Sequence, residues 1–351
     1  MINNSNDVLR YIIKQTTTHE LEDIEEYLKR ISFLDDLFPC LARNRVINVF
    51  YHFLVKNNLT YLLDKTSYRL INQVVTFSSL KVQEYEDLFK IIKKGLNESE
   101  IPYVVLKGFH LNNALYENPY GFILRDYNDI DILVNRSDLS RINNVLKNNG
   151  FIQGNLDRES LLIKPCGRKE KIDMLINTHQ QYQHIRQSKY FPISHYNIQL
   201  IDINFTIWEG GNQEDFIKTD YLLKNRILRT TQSGMQYWAL KPEYDLIQLC
   251  YHVYKDTVYE IKRINHECFI MIHFYDILLL INRYQNEIKW DELLELIVSV
   301  NLENQIFFVL SLVWELFGCT QISNLMNDLS KTITVETKKS IHDSLITIWN
   351  Q

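Results

Sequence analysis

The sequence predicts an α+β protein, a central mixed sheet flanked by N- and C-terminal helical regions. Three observations carry this prediction. Up to about residue 100, apolar residues recur at spacings of three and four, the period of a helix with one buried face. In the middle of the chain, short runs rich in β-branched residues take over, and some alternate with period two. In the last part the helical period returns. The expected division is 1–100 helical, 101–212 an α/β core and 213–351 helical.

In the first region Val8, Tyr11 and Ile12 mark one apolar face, and Val46, Phe50, Phe53 and Leu54 mark another. Over 82–96, Tyr85, Leu88, Phe89 and Ile92 share a face and charges occupy the opposite one. The texture changes at Ile101. Tyr103-Val104-Val105-Leu106, closed by Gly108, is expected to be a buried strand turning into a helix over 110–116. Asp129-Ile130-Asp131-Ile132-Leu133-Val134 is a second strand whose alternation puts both aspartates on one face. Ser137 has the character of an N-cap for a helix ending at Gly150. Further strands are expected over 161–164, 171–176 and 199–207. In the last of these, Ile201, Ile203 and Phe205 point one way and Leu200, Asp202 and Asn204 the other. From about Glu214 helices are expected again. One is opened by Pro242 and runs to Lys255, and others cover 266–284, 290–300, 302–317 and 335–349.

Composition narrows the function. With 46% apolar residues in 351, the chain can bury a large core and is not globally disordered. Only 10 glycines and 6 prolines argue against a many-turned all-β design. A net charge of −5 gives no general reason to expect nucleic acid as a partner. Cys40, Cys166, Cys250, Cys268 and Cys319 form no Cys-x-x-Cys pair and read as reduced thiols of a cytoplasmic protein. The polar N-terminus lacks a signal-peptide apolar run, and the hydrophobic stretch 268–281 is broken by His273 and Asp276. No membrane span is expected.

The informative feature is the pair Asp129 and Asp131 on one strand, with Asp202 on a later alternating strand. Carboxylates two residues apart on a strand have Cα atoms about 6.5–7 Å apart and point the same way. Such a jaw suits hard divalent cations, which take oxygen ligands. Two metals about 3.5–4 Å apart can clamp the attacking and leaving oxygens of a phosphoryl transfer. Without metal, converging carboxylates repel and their pKa values should rise. The ordinary alternative is a solvent face of an edge strand. Asp is depleted in strands, however, so two within one apolar strand call for a reason.

The run from Tyr103 to Val134 resembles the nucleotidyltransferase superfamily with a DNA polymerase β type core. More narrowly, it resembles an uncharacterised bacterial nucleotidyltransferase family found near peptide natural-product and surface-polysaccharide genes. That family's pattern is a strand ending in Leu-Lys-Gly, a Leu-Tyr-x-x-Pro segment and Arg-x-x-x-Asp-Ile-Asp-Leu-Leu-Val. The chain matches at Leu106, Lys107, Gly108, Leu115, Tyr116, Pro119, Arg125, Asp129, Ile130, Asp131, Leu133 and Val134. Ile201-Asp202-Ile203-Asn204-Phe205 is similar to a later acidic-Leu-His-Trp element. Leu240-Lys241-Pro242, His252, Tyr275-Asp276 and Trp290-Asp291 resemble its helical tail. Two departures stand out: Gly108 is followed by Phe109 where the superfamily has Gly or Ser, and Asn204 replaces a His.

The resemblance implies a metal-dependent transfer of a nucleoside monophosphate from a nucleotide triphosphate, ATP by default, to an acceptor peptide, small metabolite or protein. Mg2+ or Mn2+ would be the cofactor, held by Asp129, Asp131 and Asp202, with Asp202 also orienting or deprotonating the acceptor. Lys107 and Gly108 would meet the nucleotide; Arg125 would clamp a phosphate or pair with a catalytic carboxylate, with a purely structural pairing as the equal alternative. Gly108 would permit close approach of phosphates at a helix start, and Lys107 would supply positive charge. A second reading is a catalytically weak homologue acting as a binding or antitoxin-like partner; retention of all three carboxylates favours the enzyme. His110 is expected on a helix surface. Lys164, Arg168, Lys169 and Lys171 form a basic cluster that reads as a solvated hairpin before a phosphate contact, and His179 and His184 read as ordinary polar residues before acceptor contacts. His252 reads as a core histidine, and for Asp276 a buried hydrogen bond to the core domain and a catalytic role are equally open.

Overall fold

The computed structural model describes residues 18–117, 120–157, 159–160, 162–188, 198–208, 217–258 and 269–333, with Lys339 and Asp343. The apolar positions 8–12, the matched Pro119, Cys268 and most of the expected helix 335–349 lie outside them. The described residues form an α+β architecture. They fall into two compact units, one of residues 1–79, 117–126 and 246–351, the other of 80–116 and 127–245. These limits cross the expected boundaries near 100 and 212, because the first and last helical regions belong to one unit.

That first unit is helical, with Thr18–Arg30, Phe38–Arg43, Ile47–Lys56, Met271–Tyr284, Trp290–Ser299, Glu303–Phe317 and Ser323–Leu329 among its helices. Val46, Phe50, Phe53 and Leu54 are all buried, as their spacing predicts. Asn44 ties the distant parts of the chain together: its Oδ1 accepts from the Met271 N–H at 3.1 Å and its carbonyl accepts from the Ile272 N–H at 3.3 Å. Asn48 Nδ2 donates to the Ile123 carbonyl at 2.9 Å. No helix among the described residues is long and apolar enough to cross a membrane.

The second unit carries the sheet. Strands β1 (Tyr103–Leu106), β2 (Asp129–Val134), β3 (Ile152–Leu156), β4 (Ile163–Pro165), β5 (His184–Gln187) and β6 (Ile198–Asn204) pair in the order β1-β2-β6-β5-β3-β4. Only β2 and β6 are parallel. Helix Lys65–Glu98 brings Phe89 against the rings of Tyr103 and Phe109, so the face formed by Tyr85, Leu88, Phe89 and Ile92 is buried as expected.

Several elements differ from expectation. The strand expected over 171–176 is part of a helix, Arg168–Asn177. Glu170 accepts the Gly167 N–H at 2.6 Å and so caps its start, and Ile172 and Ile176, four apart, suit a helix as well as a strand. Ser137 sits in a 3-10 turn, Arg136–Asp138, and Asp138 precedes the helix Leu139–Asn148. The region after Glu214, expected to be helical, contains a hairpin of β7 (Ile227–Thr230) and β8 (Gln236–Ala239). Gly234, at φ 86°, makes its turn. Cys40, Cys166, Cys250 and Cys319 are free thiols.

Candidate active site

The strand order fixes the acidic face. Ile130 and Ile132 on β2 and Ile201 and Ile203 on β6 are fully buried. Their burial sets both strands in register, because a one-residue slip would expose them. Asp131 lies opposite Asp202, Asp129 opposite Leu200, and Leu133 opposite Asn204. Residues paired across strands share a face, so Asp129, Asp131, Asp202 and Asn204 all project from the side opposite the isoleucines. On the other flank of β2, Leu106 pairs with Asp131. The helix Lys107–Leu115 begins directly at the end of β1, without a loop. Lys107, its first residue, has φ 46°, a left-handed conformation uncommon for a side chain other than Asn or Asp.

That turn delivers the lysine to the carboxylates. Lys107 Nζ lies 3.1 Å from Asp131 Oδ1. Asn204 Nδ2 donates to the same oxygen at 3.2 Å. Asp202 Oδ1 is buried with no hydrogen-bond partner. Burial pushes the Asp202 carboxyl up to about 8; Asp131 and Asp129 add to the rise and Lys107 opposes it. For Lys107, burial works against the charge, but Asp131, Asp129 and Asp202 outweigh it and the ammonium's pKa is raised. Three carboxylates thus share one ammonium.

Among the described residues, no three His, Cys, Asp or Glu side chains are drawn together in the arrangement of a metal site. The donor set nevertheless suits a hard divalent cation. It consists of carboxylate oxygens from adjacent positions on one sheet face, one of them buried and unsatisfied. Asp129, Asp131 and Asp202 are the residues that would hold it.

The structure brings together Lys107, Gly108, Asp129, Asp131 and Asp202. Gly108 has a packing reason of its own: a Cβ there would lie 2.5 Å from the Cβ of Tyr127. Arg125 belongs to the helical unit. Its guanidinium forms a fork with Asp276, Nε at 3.0 and 3.1 Å and Nη2 at 2.9 Å from the two oxygens, while Nη1 donates to the Asp126 carbonyl. The expected buried hydrogen bond of Asp276 is this one.

His110 is a correction. It is buried rather than on a helix surface, with Nε2 2.8 Å from Asp245 Oδ2 and Nδ1 3.0 Å from the Tyr237 hydroxyl. It pins the helix after Lys107 to the residues that follow it in the same unit. His184 is also closed in, against Asn143 Oδ1 at 3.0 Å, and burial with the charge of Lys171 pushes its pKa down to about 4. Lys164 pairs with Asp157, and Arg168 and Lys169 are exposed on a helix without a buried residue. Sequence reasoning missed the lysine–aspartate contact and the role of Asn204. For the asparagine a signal existed, since it lies two residues after Asp202 on an alternating strand.

A family model described as an uncharacterised nucleotidyltransferase matches residues 34–318. Curated proteins give no match. A solved structure, an antigenic nucleotidyltransferase-like protein from Paracoccidioides brasiliensis, is similar over 67% of this chain and 92% of its own, at 12% identity and a TM-score of 0.26. At that score the likeness carries no argument about the site. The match over residues 34–318 does decide the family: the chain belongs to the uncharacterised nucleotidyltransferases.

Proposed function

We propose that the chain is a divalent-metal-dependent nucleotidyltransferase. It moves a nucleoside monophosphate, AMP from ATP by default, to a peptide, small-metabolite or protein acceptor. The observation that carries this reading is the parallel pairing of Asp131 with Asp202 beside Asp129, with a buried carboxylate oxygen unsatisfied. A structural role would not favour three like charges on one face.

In the transfer, an acceptor oxygen or nitrogen bonds to the α-phosphorus, the α–β phosphoanhydride bond breaks and pyrophosphate leaves. The divalent cation, Mg2+ or Mn2+, neutralises charge on the phosphates and the attacking group when bound. Asp129 and Asp131 would hold the cation that carries the triphosphate. Asp202 would orient the acceptor or, once its own carboxyl is ionised, take the acceptor's proton. Lys107 supplies positive charge at the start of the helix, where free N–H groups also favour anions.

Two measurements test the proposal. Calorimetry with ATP should show affinity that depends on Mg2+, and equal affinity with and without the metal would refute the role of the aspartates. Mass spectrometry of reactions with labelled triphosphates, Mg2+ and candidate acceptors should show a mass gain of one nucleotidyl group together with pyrophosphate release.

A further inference from the structure

Lys107 places its ammonium on the acidic face, 3.1 Å from Asp131 Oδ1. Three features of this contact are unlike an ordinary surface ion pair. The backbone is turned into a left-handed conformation at the lysine itself, φ 46°, so the strand–helix junction aims the side chain. Its carboxylate partner is nearly fully buried, while the lysine side chain keeps 21% of its surface exposed and has a way out. Asn204 donates to the same oxygen and would remain as its partner if the ammonium left.

We propose that Lys107 is a resident counter-cation: it neutralises the acidic face in the metal-free protein, and it is released from Asp131 when a divalent cation binds there. The inference rests on the metal-dependent reading above and deepens it. An ammonium and a divalent cation repel at one carboxylate, so a cation on Asp131 weakens the lysine's hold there. The lysine stem is long and flexible enough to leave. Once released, its charge is free for the triphosphate at the helix start, so metal entry and nucleotide capture are coupled through one side chain. The protein avoids a bare acidic face in one state and a crowded cationic one in the other.

The test uses the full chain without nucleotide, titrated with Mn2+ and followed by the electron paramagnetic resonance of the free ion. Lys107→Met, which keeps the stem and removes the charge, should bind Mn2+ more tightly, on the order of tenfold or more. It should bind ATP with Mg2+ more weakly than the wild type. Lys107→Arg, which keeps the charge, should bind Mn2+ no more tightly than the wild type. Equal or weaker Mn2+ binding by Lys107→Met would overturn the counter-cation role while leaving the metal site standing. No Mn2+ binding by either protein would overturn the metal-dependent reading and this inference with it. A second measurement needs no variant. Amine labelling of the wild type, mapped by peptide mass, should increase at Lys107 when Mn2+ is added and fall again with triphosphate. Labelling that ignores Mn2+ would overturn the inference.

Discussion

Each unit buries a cluster of charges, and the two clusters are built on different principles. In the helical unit one guanidinium meets one carboxylate, and both oxygens of Asp276 accept from Arg125. The charges cancel and the geometry is a matched fork. In the sheet unit three carboxylates share one lysine, and an Asp202 oxygen has no partner. An unsatisfied oxygen alone does not mark a site, since Asp245 beside His110 also has one. The excess of like charge is what separates the acidic face from the fork. A matched pair leaves little net charge in the interior, whereas like charges on one face raise the cost of ionising one another.

The sharpest way to break this comparison is to remove one half of each cluster. Arg125→Met should strip the fork from a buried carboxylate and cost about 3–5 kcal/mol, read as a fall in urea midpoint. Adding Asp276→Leu should restore much of that loss, because an apolar pair can replace a buried ion pair. If Arg125→Met costs little, the fork is not structural and the contrast fails. Asp131→Asn should behave in the opposite manner. The fold should persist, with a melting temperature near the wild type or above it without metal, as like-charge repulsion is relieved. Nucleotidyl transfer should drop on the order of 10²-fold or more, as when other charge-stabilising groups are lost. A folded Asp131→Asn protein with near wild-type transfer would remove the metal role of this residue.

Smaller effects sharpen the picture. Gly108→Ala should cost about 1–3 kcal/mol through overpacking against Tyr127, and that added cost should largely vanish beside Tyr127→Gly, which removes the Cβ it meets. If Gly108→Ala leaves stability unchanged but weakens ATP binding, phosphate approach rather than packing explains the glycine. The pH dependence follows from Asp202, whose pKa is raised from 3.8 to about 8 in the folded protein. Between those values the folded state holds a proton that the unfolded state has lost. Asp202 therefore makes stability fall as pH rises from about 4 to about 8 and level off above that. Metal affinity should move the other way, rising with pH toward 8 as the competing proton leaves. Melting curves and Mn2+ titrations across that range check both signs, and Asp202→Asn should flatten each.

Local patterns were legible wherever burial on one face imposes a period. The strands over 103–106 and 129–134, the helices over 290–300 and 302–317, and the shared face of the two β2 aspartates follow from alternation or helical spacing alone. Short polar segments were not legible. Residues 171–176 fit a strand and a helix equally, and a cap at Gly167, set by Glu170, decided for the helix. The β7–β8 hairpin went unread because its strands are four residues each, too short to establish a period against helical neighbours. His110 looked like a surface residue because helical spacing ranks polar residues outward. Only the arrival of Asp245 and Tyr237 from far along the chain could bury it.

By itself, the sequence determined which residues could share a face, since that depends on backbone periods and on the cost of exposing apolar side chains. It therefore placed Asp129 with Asp131, and Asp202 with Asn204, each as a local pair. Tertiary structure decided how those pairs meet. The parallel register of β2 with β6 set Asp131 beside Asp202, the left-handed turn after β1 set Lys107 on Asp131, and Asp276 engaged Arg125 from another part of the chain. The reason is physical: period is a property of neighbouring residues, whereas charge pairing is settled between side chains that only the folded core brings within reach.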